Sequence, residues 1–495
     1  MTHFNWLLDG SIVGLYLIVT MAAGLMMRKY VGKVEHFLVA GREMDVYLGI
    51  ASLAATEFGI VTCMYTAQNG YEKGFAGATP GILQALAMLL VGLTGFCIKP
   101  LRDSGVITIP ELIDKKFGPR IRWAAGVVIV LGGLLNMGVF LRTGGQFLVE
   151  VSGLDVRYLE IMMTALLLGV AVYTILGGML SVLVTDFLQF VVMSAGLIAV
   201  TLLILANVGW ERLVSAVETH YGAGGFNPFL NSTMGWQYVL FNALLNFAAV
   251  LTWQTTVARV LAAKDTETGR KVYTRTSFFF VCRFLIPGLW GIAALATLGP
   301  VNNTLEAMPR YLGMTVPAGL MGLLIAAMLA ADMSTDSSYM LTWGSVIYND
   351  ILAPLRRKPW PEKRGLRWNR MIVAGIGVFL LLYGLWYPLK GDLWTYLGVT
   401  GTIYLASISV LLVACCYWKR ANSWGAAASI IVSAVIPVTY LVIEQIPATA
   451  ELAKSIGPYY SGIATYLLSA LAMIIGSLVK PASGIRSIGS EGAKR

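Results

Sequence analysis

Residues 328–338 read Met328-Leu329-Ala330-Ala331-Asp332-Met333-Ser334-Thr335-Asp336-Ser337-Ser338. Four hydroxyls and two carboxylates fall within the last seven of these positions. They lie inside a mainly apolar run, 315–349, long enough to cross a bilayer. Backbone groups in lipid must be paired within their own segment, so such a run is helical. Polar side chains at that depth turn toward a protein interior or a cavity. On a helix Ala331, Ser334, Thr335 and Ser338 share one face at three- and four-residue spacing. Hydroxyls can also bond back to their own helix or join two helices. That accounts for one or two of them and poorly for the cluster. Sodium is a hard cation and takes oxygen ligands for the reason calcium and magnesium do. A carbonyl at Ala331 with two hydroxyls forms half of such a site.

The surrounding chain fits this reading. Of 495 residues 57% are hydrophobic and 13% charged, about half the charged share of a soluble domain. Thirteen candidate helical spans fall near 11–27, 46–70, 76–98, 122–151, 157–178, 180–208, 236–258, 276–299, 315–349, 371–388, 392–416, 423–444 and 457–479. The alternating ten-residue pattern of a β-barrel does not occur. The opening MTHFNWLLDG carries no basic region, so the first run reads as a retained span. An odd number of spans places the termini on opposite sides.

With the N-terminus outside, 28 of the 36 Lys and Arg fall in inner segments and six in outer ones. The other two, Arg142 and Arg283, lie within spans. This asymmetry is the positive-inside rule, with the C-terminus cytoplasmic in a plasma membrane. It accounts for the net charge of +10 without a nucleic-acid partner. The largest hydrophilic segments are 209–235 outside and 350–370 inside. The inner one, with Arg356-Arg357-Lys358, Lys363, Arg364 and Arg367, reads as a headgroup-facing surface. The five cysteines sit in or beside apolar runs with no metal-type spacing. The three histidines lie outside the spans. No nucleophile–base arrangement appears, so an enzyme is not expected.

Two further features point to a carrier. The second span holds Gly49-Ile50-Ala51-Ser52-Leu53-Ala54-Ala55-Thr56-Glu57-Phe58-Gly59. Small residues there allow close helix packing. A glutamate at mid-depth nevertheless costs about 2–3 kcal/mol unless it is paired or faces a cavity, and unwound backbone beside it would offer free carbonyls to a cation. Asp186, in Thr185-Asp186-Phe187-Leu188-Gln189, is a functional candidate or one half of a structural ion pair.

Together these stretches resemble the sodium/solute symporter family of sodium–glucose, sodium–proline and sodium–sialic acid cotransporters. The resemblance covers most of the chain. It runs from Phe37-Leu38-Val39-Ala40-Gly41-Arg42 through Ala51-Ser52-Leu53 and Gly105-Val106-Ile107-Thr108-Ile109-Pro110-Glu111. It continues with Thr185-Asp186, Arg259-Val260-Leu261-Ala262-Ala263-Lys264, Met328 to Thr335 and Tyr417-Trp418-Lys419-Arg420. Each motif is weak alone; their order makes them specific.

The resemblance implies an all-α polytopic LeuT-type fold in one transmembrane domain. Its parts are an extra helix at 11–27, inverted five-helix repeats at 46–208 and 236–416, and two more helices within 423–479. It implies a shared sodium site at Ala55, Phe58, Ala331, Ser334 and Thr335. A second sodium would use Asp186, Ser334, Ser337 and Ser338. Glu57, Gln84, Asn136, Arg142 and Arg283 are the implied solute-binding residues. Asn136 stands where sialic acid carriers place a carboxylate-binding Arg, which weighs against that solute. Arg142, further along the same helix, could replace it only if the helix shifts. Asp332 and Asp336 depart from the glucose-carrier pattern and are expected to pair with Arg142 or Arg283, or to confer proton sensitivity.

An arginine fork suits a carboxylate, and Glu57 suits an ammonium group. A carboxylate-bearing solute (amino acid, sugar acid or organic acid) therefore ranks ahead of a neutral sugar or polyol. The expected activity is sodium-coupled import by alternating access. A sensor module fits less well, because the tail after 479 is short. A channel fits less well than a carrier with discontinuous helices.

Overall fold

The computed structural model describes residues 3–356, 360–387 and 392–480. Arg357, Lys358 and Lys390 of the expected basic and outer loops, and the tail from 481, lie outside them. Among the described residues there is no strand, only a single bridge between Met44 and Ala263. Its bonds, Met44 N–H to Ala262 O at 3.1 Å and Lys264 N–H to Met44 O at 3.0 Å, tie the segment before the second span to the end of the seventh.

The principal helices are numbered in chain order. The first four are α1 (Leu8–Met26), α2 (Val46–Thr56), α3 (Ile60–Lys73) and α4 (Thr79–Thr94). Then come α5 (Pro119–Met137), α6 (Phe140–Ser152), α7 (Leu159–Asn207) and α8 (Gly235–Thr252). They are followed by α9 (Gln254–Ala262), α10 (Thr266–Leu298), α11 (Leu320–Val346) and α12 (Glu362–Trp386). The last three are α13 (Leu393–Tyr417), α14 (Ser423–Gln445) and α15 (Ala450–Val479).

Among the described residues ten helical runs are long and apolar enough to cross a membrane, against thirteen spans in the sequence reading. One run, 60–94, joins the latter part of the second span to all but the end of the third through a turn at Gly74, φ +62°. A second, 156–207, fuses the fifth and sixth across Gly178. The seventh is interrupted at Trp253. Gly178 has φ +56°, and a Cβ there would sit 2.5 Å from the Phe37 ring, so only glycine allows this turn.

Helix α11 is buried around nearly its whole circumference, against α7 above all. A helix buried on all sides belongs at the centre. Its first turn is fixed by a residue from another helix. Asp9 of α1 accepts from Gly319 N–H and Gly322 N–H, each at 2.7 Å. A carboxylate there satisfies orphan amides and favours the positive end of the helix dipole.

The second and seventh spans are true discontinuities. Helix α2 ends at Thr56, and α3 starts at Ile60 after Gly59 in extended geometry. Helix α8 ends at Thr252, and Trp253, extended at ψ 112°, leads into α9. Both breaks face the middle of α11 and leave backbone carbonyls without helical partners.

Candidate cation and solute site

The break after α2 lies against the polar face of α11. Ser334 Oγ is 2.8 Å from the Ala55 carbonyl and 2.9 Å from that of Ala331. Thr335 Oγ1 donates to the Thr56 carbonyl at 2.8 Å. All five residues are buried. Ala55, Ala331, Ser334 and Thr335 of the expected sodium set are thus brought together, with Thr56 rather than Phe58 facing Thr335. Phe58 lies in the break itself, its N–H 3.3 Å from Ala55 O. The oxygens gathered here, carbonyl and hydroxyl alone, suit a hard cation. Gly59 completes the fit, since a Cβ there would lie 2.8 Å from Thr335 Oγ1.

Of the second expected set only Asp186 and Ser338 meet, and they meet at a group that the sequence reading placed in an inner loop. This is the Arg259 guanidinium, fully buried in α9. Its Nη2 donates to Thr56 Oγ1 at 2.5 Å, Ser338 Oγ at 2.6 Å and Asp186 Oδ2 at 3.1 Å. Its Nε donates to Ser52 Oγ at 3.1 Å. Ser52 Oγ in turn donates to Asp186 at 2.5 Å. Ser337 turns back to the Ser334 carbonyl at 3.2 Å. Asp186 therefore has a fixed cationic partner.

Beside the sodium-type oxygens lies a cavity of about 80 Å³ to which Thr335 also contributes. Glu57, Gln84, Asn136 and Arg283 line it; Arg142 does not. Glu57 Oε1 accepts from Thr255 Oγ1 at 2.9 Å and Thr256 Oγ1 at 3.0 Å, hydroxyls supplied by α9. Glu57 Oε2 pairs with Arg283 Nη1 at 3.3 Å, and Arg283 Nη2 donates to Tyr65 OH at 2.6 Å. Asn136 Nδ2 donates to Leu397 O at 2.9 Å. Aromatic walls come from Tyr65, Phe140, Trp253, Tyr339 and Trp394. Trp253 Nε1 donates to Tyr339 OH at 2.9 Å.

Two expectations need correction. Arg142 donates to the Gly384 carbonyl at 3.1 Å on α12, outside the cavity. Asp332 and Asp336 pair with neither arginine, since Arg283 is taken by Glu57 and Arg142 by a carbonyl. Neither Asp336 oxygen has a hydrogen-bond partner among the described residues. Arg259, Thr255 and Thr256 were missed as site residues. The polar stretch Gln254-Thr255-Thr256 before the arginine ends an apolar run and so reads as the end of a span rather than as a break within a helix.

Broken helices that meet a central helix with a polar face beside a lined cavity define a secondary carrier of the LeuT type. The chain matches the Sodium:solute symporter family over residues 37–433 and belongs to that family. It is a multi-pass membrane transporter and not an enzyme. It is 26% identical to sodium/glucose cotransporter 4 of Danio rerio, over 90% of this chain and 73% of that one. It is 25% identical to the osmoregulated proline transporter OpuE of Bacillus subtilis (strain 168), over 94% of each. Among solved structures it is similar to a substrate-bound, outward-open Na⁺-coupled sialic acid symporter. There the TM-score is 0.79 at 19% identity, covering 96% of this chain and 98% of that one. Mhp1, a nucleobase-cation-symport-1 transporter, follows at TM-score 0.57 and 16% identity, over 90% and 95%. At those identities the likeness is one of fold.

Proposed function

We propose that this protein imports a small polar solute by alternating access, driven by one sodium ion bound where α2 breaks against α11. The observation that carries the reading is the Ser334 hydroxyl, 2.8 Å from the Ala55 carbonyl and one residue from Thr335, which also lines the solute cavity. A cation bound there draws the broken helix onto α11 and completes the cavity wall, so ion and solute stabilise each other's site. The family membership and the sodium-coupled relatives support the coupling ion. The supporting topology has thirteen crossings, inverted repeats at 46–208 and 236–416, the N-terminus outside and the C-terminus in the cytoplasm of a plasma membrane. It rests on the Lys and Arg distribution.

The solute is one without net charge. Arg283 is already neutralised by Glu57, so no unpaired positive charge offsets the desolvation of a bare carboxylate. An amino-acid zwitterion meets this condition: its carboxylate takes the arginine while its ammonium takes Glu57. A sugar or polyol is the second reading, favoured by the aromatic walls and by the amides of Gln84 and Asn136. Thermal shifts in sodium with zwitterions, monocarboxylates and polyols separate them, and stabilisation by monocarboxylates alone overturns the neutral-solute reading. For the ion, Ser334→Ala with Thr335→Ala is expected to raise the half-saturating sodium concentration about tenfold or more, a loss of about 1.4 kcal/mol. Uptake into proteoliposomes with unchanged sodium dependence rejects the site.

A further inference from the structure

A second cavity, of about 430 Å³, lies on the opposite side of α11, between α1, α6 and α7. Its walls are almost wholly apolar, and they descend from the N-terminal end of α1 to Met333, the residue before Ser334. Gly10 and Gly14 of α1 and Gly169 of α7 line it, and a Cβ at any of the three would meet no atom within 4 Å. The chain therefore leaves this space open with its smallest residues. The groove opens to the helix surface, with Trp6 and Ala165 of its lining exposed, and left empty its wall atoms would forfeit their dispersion contacts. An apolar cavity does not hold water either. At this depth the available apolar matter is lipid.

We propose that the cleft is a binding site for one acyl chain of a membrane phospholipid. Trp6, two-thirds exposed, and Phe4 line its mouth, as aromatic residues do at the level of the headgroups. Arg157, 72% exposed, three residues beyond the lining Leu154 and loosely paired with Asp155 at 3.9 Å, supplies a cation for the lipid phosphate. The floor bears on the transport machinery. Met333 Sδ accepts from Tyr16 OH at 3.7 Å, and its carbonyl accepts from Tyr173 OH at 3.0 Å. The chain end thus supports α11 from behind the face that carries Ser334.

The site is tested in proteoliposomes containing a phosphatidylcholine with a photoreactive diazirine on its acyl chain. In the wild-type protein, labelling is expected to concentrate in residues 10–17 and 162–169. Gly14→Leu and Gly169→Leu fill the cleft and should each lower that labelling about tenfold, an affinity loss of about 1.4 kcal/mol. Ala195→Leu, on the exposed face of the same α7, should leave it unchanged. Labelling spread evenly over exposed helix faces, or unaffected by either glycine substitution, overturns the proposal. The wild-type map decides the question even if a variant fails to insert. It requires no transport, so it stands or falls separately from the proposed sodium coupling.

Discussion

Glu57 stands in the break of the second span, and its side chain bonds only to other helices, α9 and α10. Two hydroxyls of α9 hold one carboxylate oxygen, and Arg283 of α10 holds the other. Replacing it by Gln keeps the shape but strands a buried guanidinium. Breaking a buried ion pair from one side costs about 3–5 kcal/mol. Glu57→Gln should therefore lower the melting temperature and abolish solute binding. Glu57→Gln with Arg283→Met should recover stability without transport; if the double variant is no more stable than the single, the pair is not what holds the cavity wall. Gly59 offers a finer probe. A methyl there meets Thr335 Oγ1 at 2.8 Å, so Gly59→Ala should raise the sodium requirement while leaving maximal uptake at saturating sodium nearly intact. A lowered maximum with unaltered sodium dependence would place the strain elsewhere.

At the scale of elements, the two interrupted helices and the central helix act as one unit. Arg259 of α9 is bonded to Ser52 and Thr56 of α2, to Asp186 of α7 and to Ser338 of α11. Four helices thus converge on one planar guanidinium, whose fork reaches several oxygens at once. Arg259→Met leaves Asp186 charged and unpaired, and a loss of about 3–5 kcal/mol is expected. Asp186→Leu in the same chain should restore most of the melting temperature, and a merely additive second loss would show that the two residues do not act as a pair. Much of this unit was legible in the sequence. The hydroxyl cluster on α11 and the small residues around Glu57 signalled a polar seam at mid-depth, because lipid does not tolerate such side chains. Arg259 was not legible. A cation at the end of an apolar run reads as an inner-loop charge, and nothing local shows that the helix breaks at Trp253 and carries on to Ala262. Glu57 and Arg283 were legible only as separate solute-binding residues, since residues 226 positions apart are matched only by the packing of α3 against α10.

For the whole molecule the question is how many charges move in one cycle. The guanidinium of Arg259 lies among the oxygens that would hold a second sodium, and it is tethered to the chain. It neutralises Asp186 in every state in which the four helices remain together, and it does not leave with the solute. On the proposed reading, one sodium and one solute without net charge would carry a single positive charge across the membrane. At 100 mV that charge is worth about 2.3 kcal/mol, enough for a roughly 40-fold accumulation before any sodium gradient is added. A second sodium would square that factor. The two cases separate in proteoliposomes loaded with labelled sodium and solute under a clamped potassium potential. A single ion predicts one sodium taken up per solute, uptake hyperbolic in sodium, and a reversal potential set by one charge. A ratio of two with sigmoidal sodium dependence would mean that the ion displaces Arg259 from Asp186. In that case Arg259→Met should raise the affinity of the second sodium, whereas with a tethered cation it impairs uptake without changing the ratio.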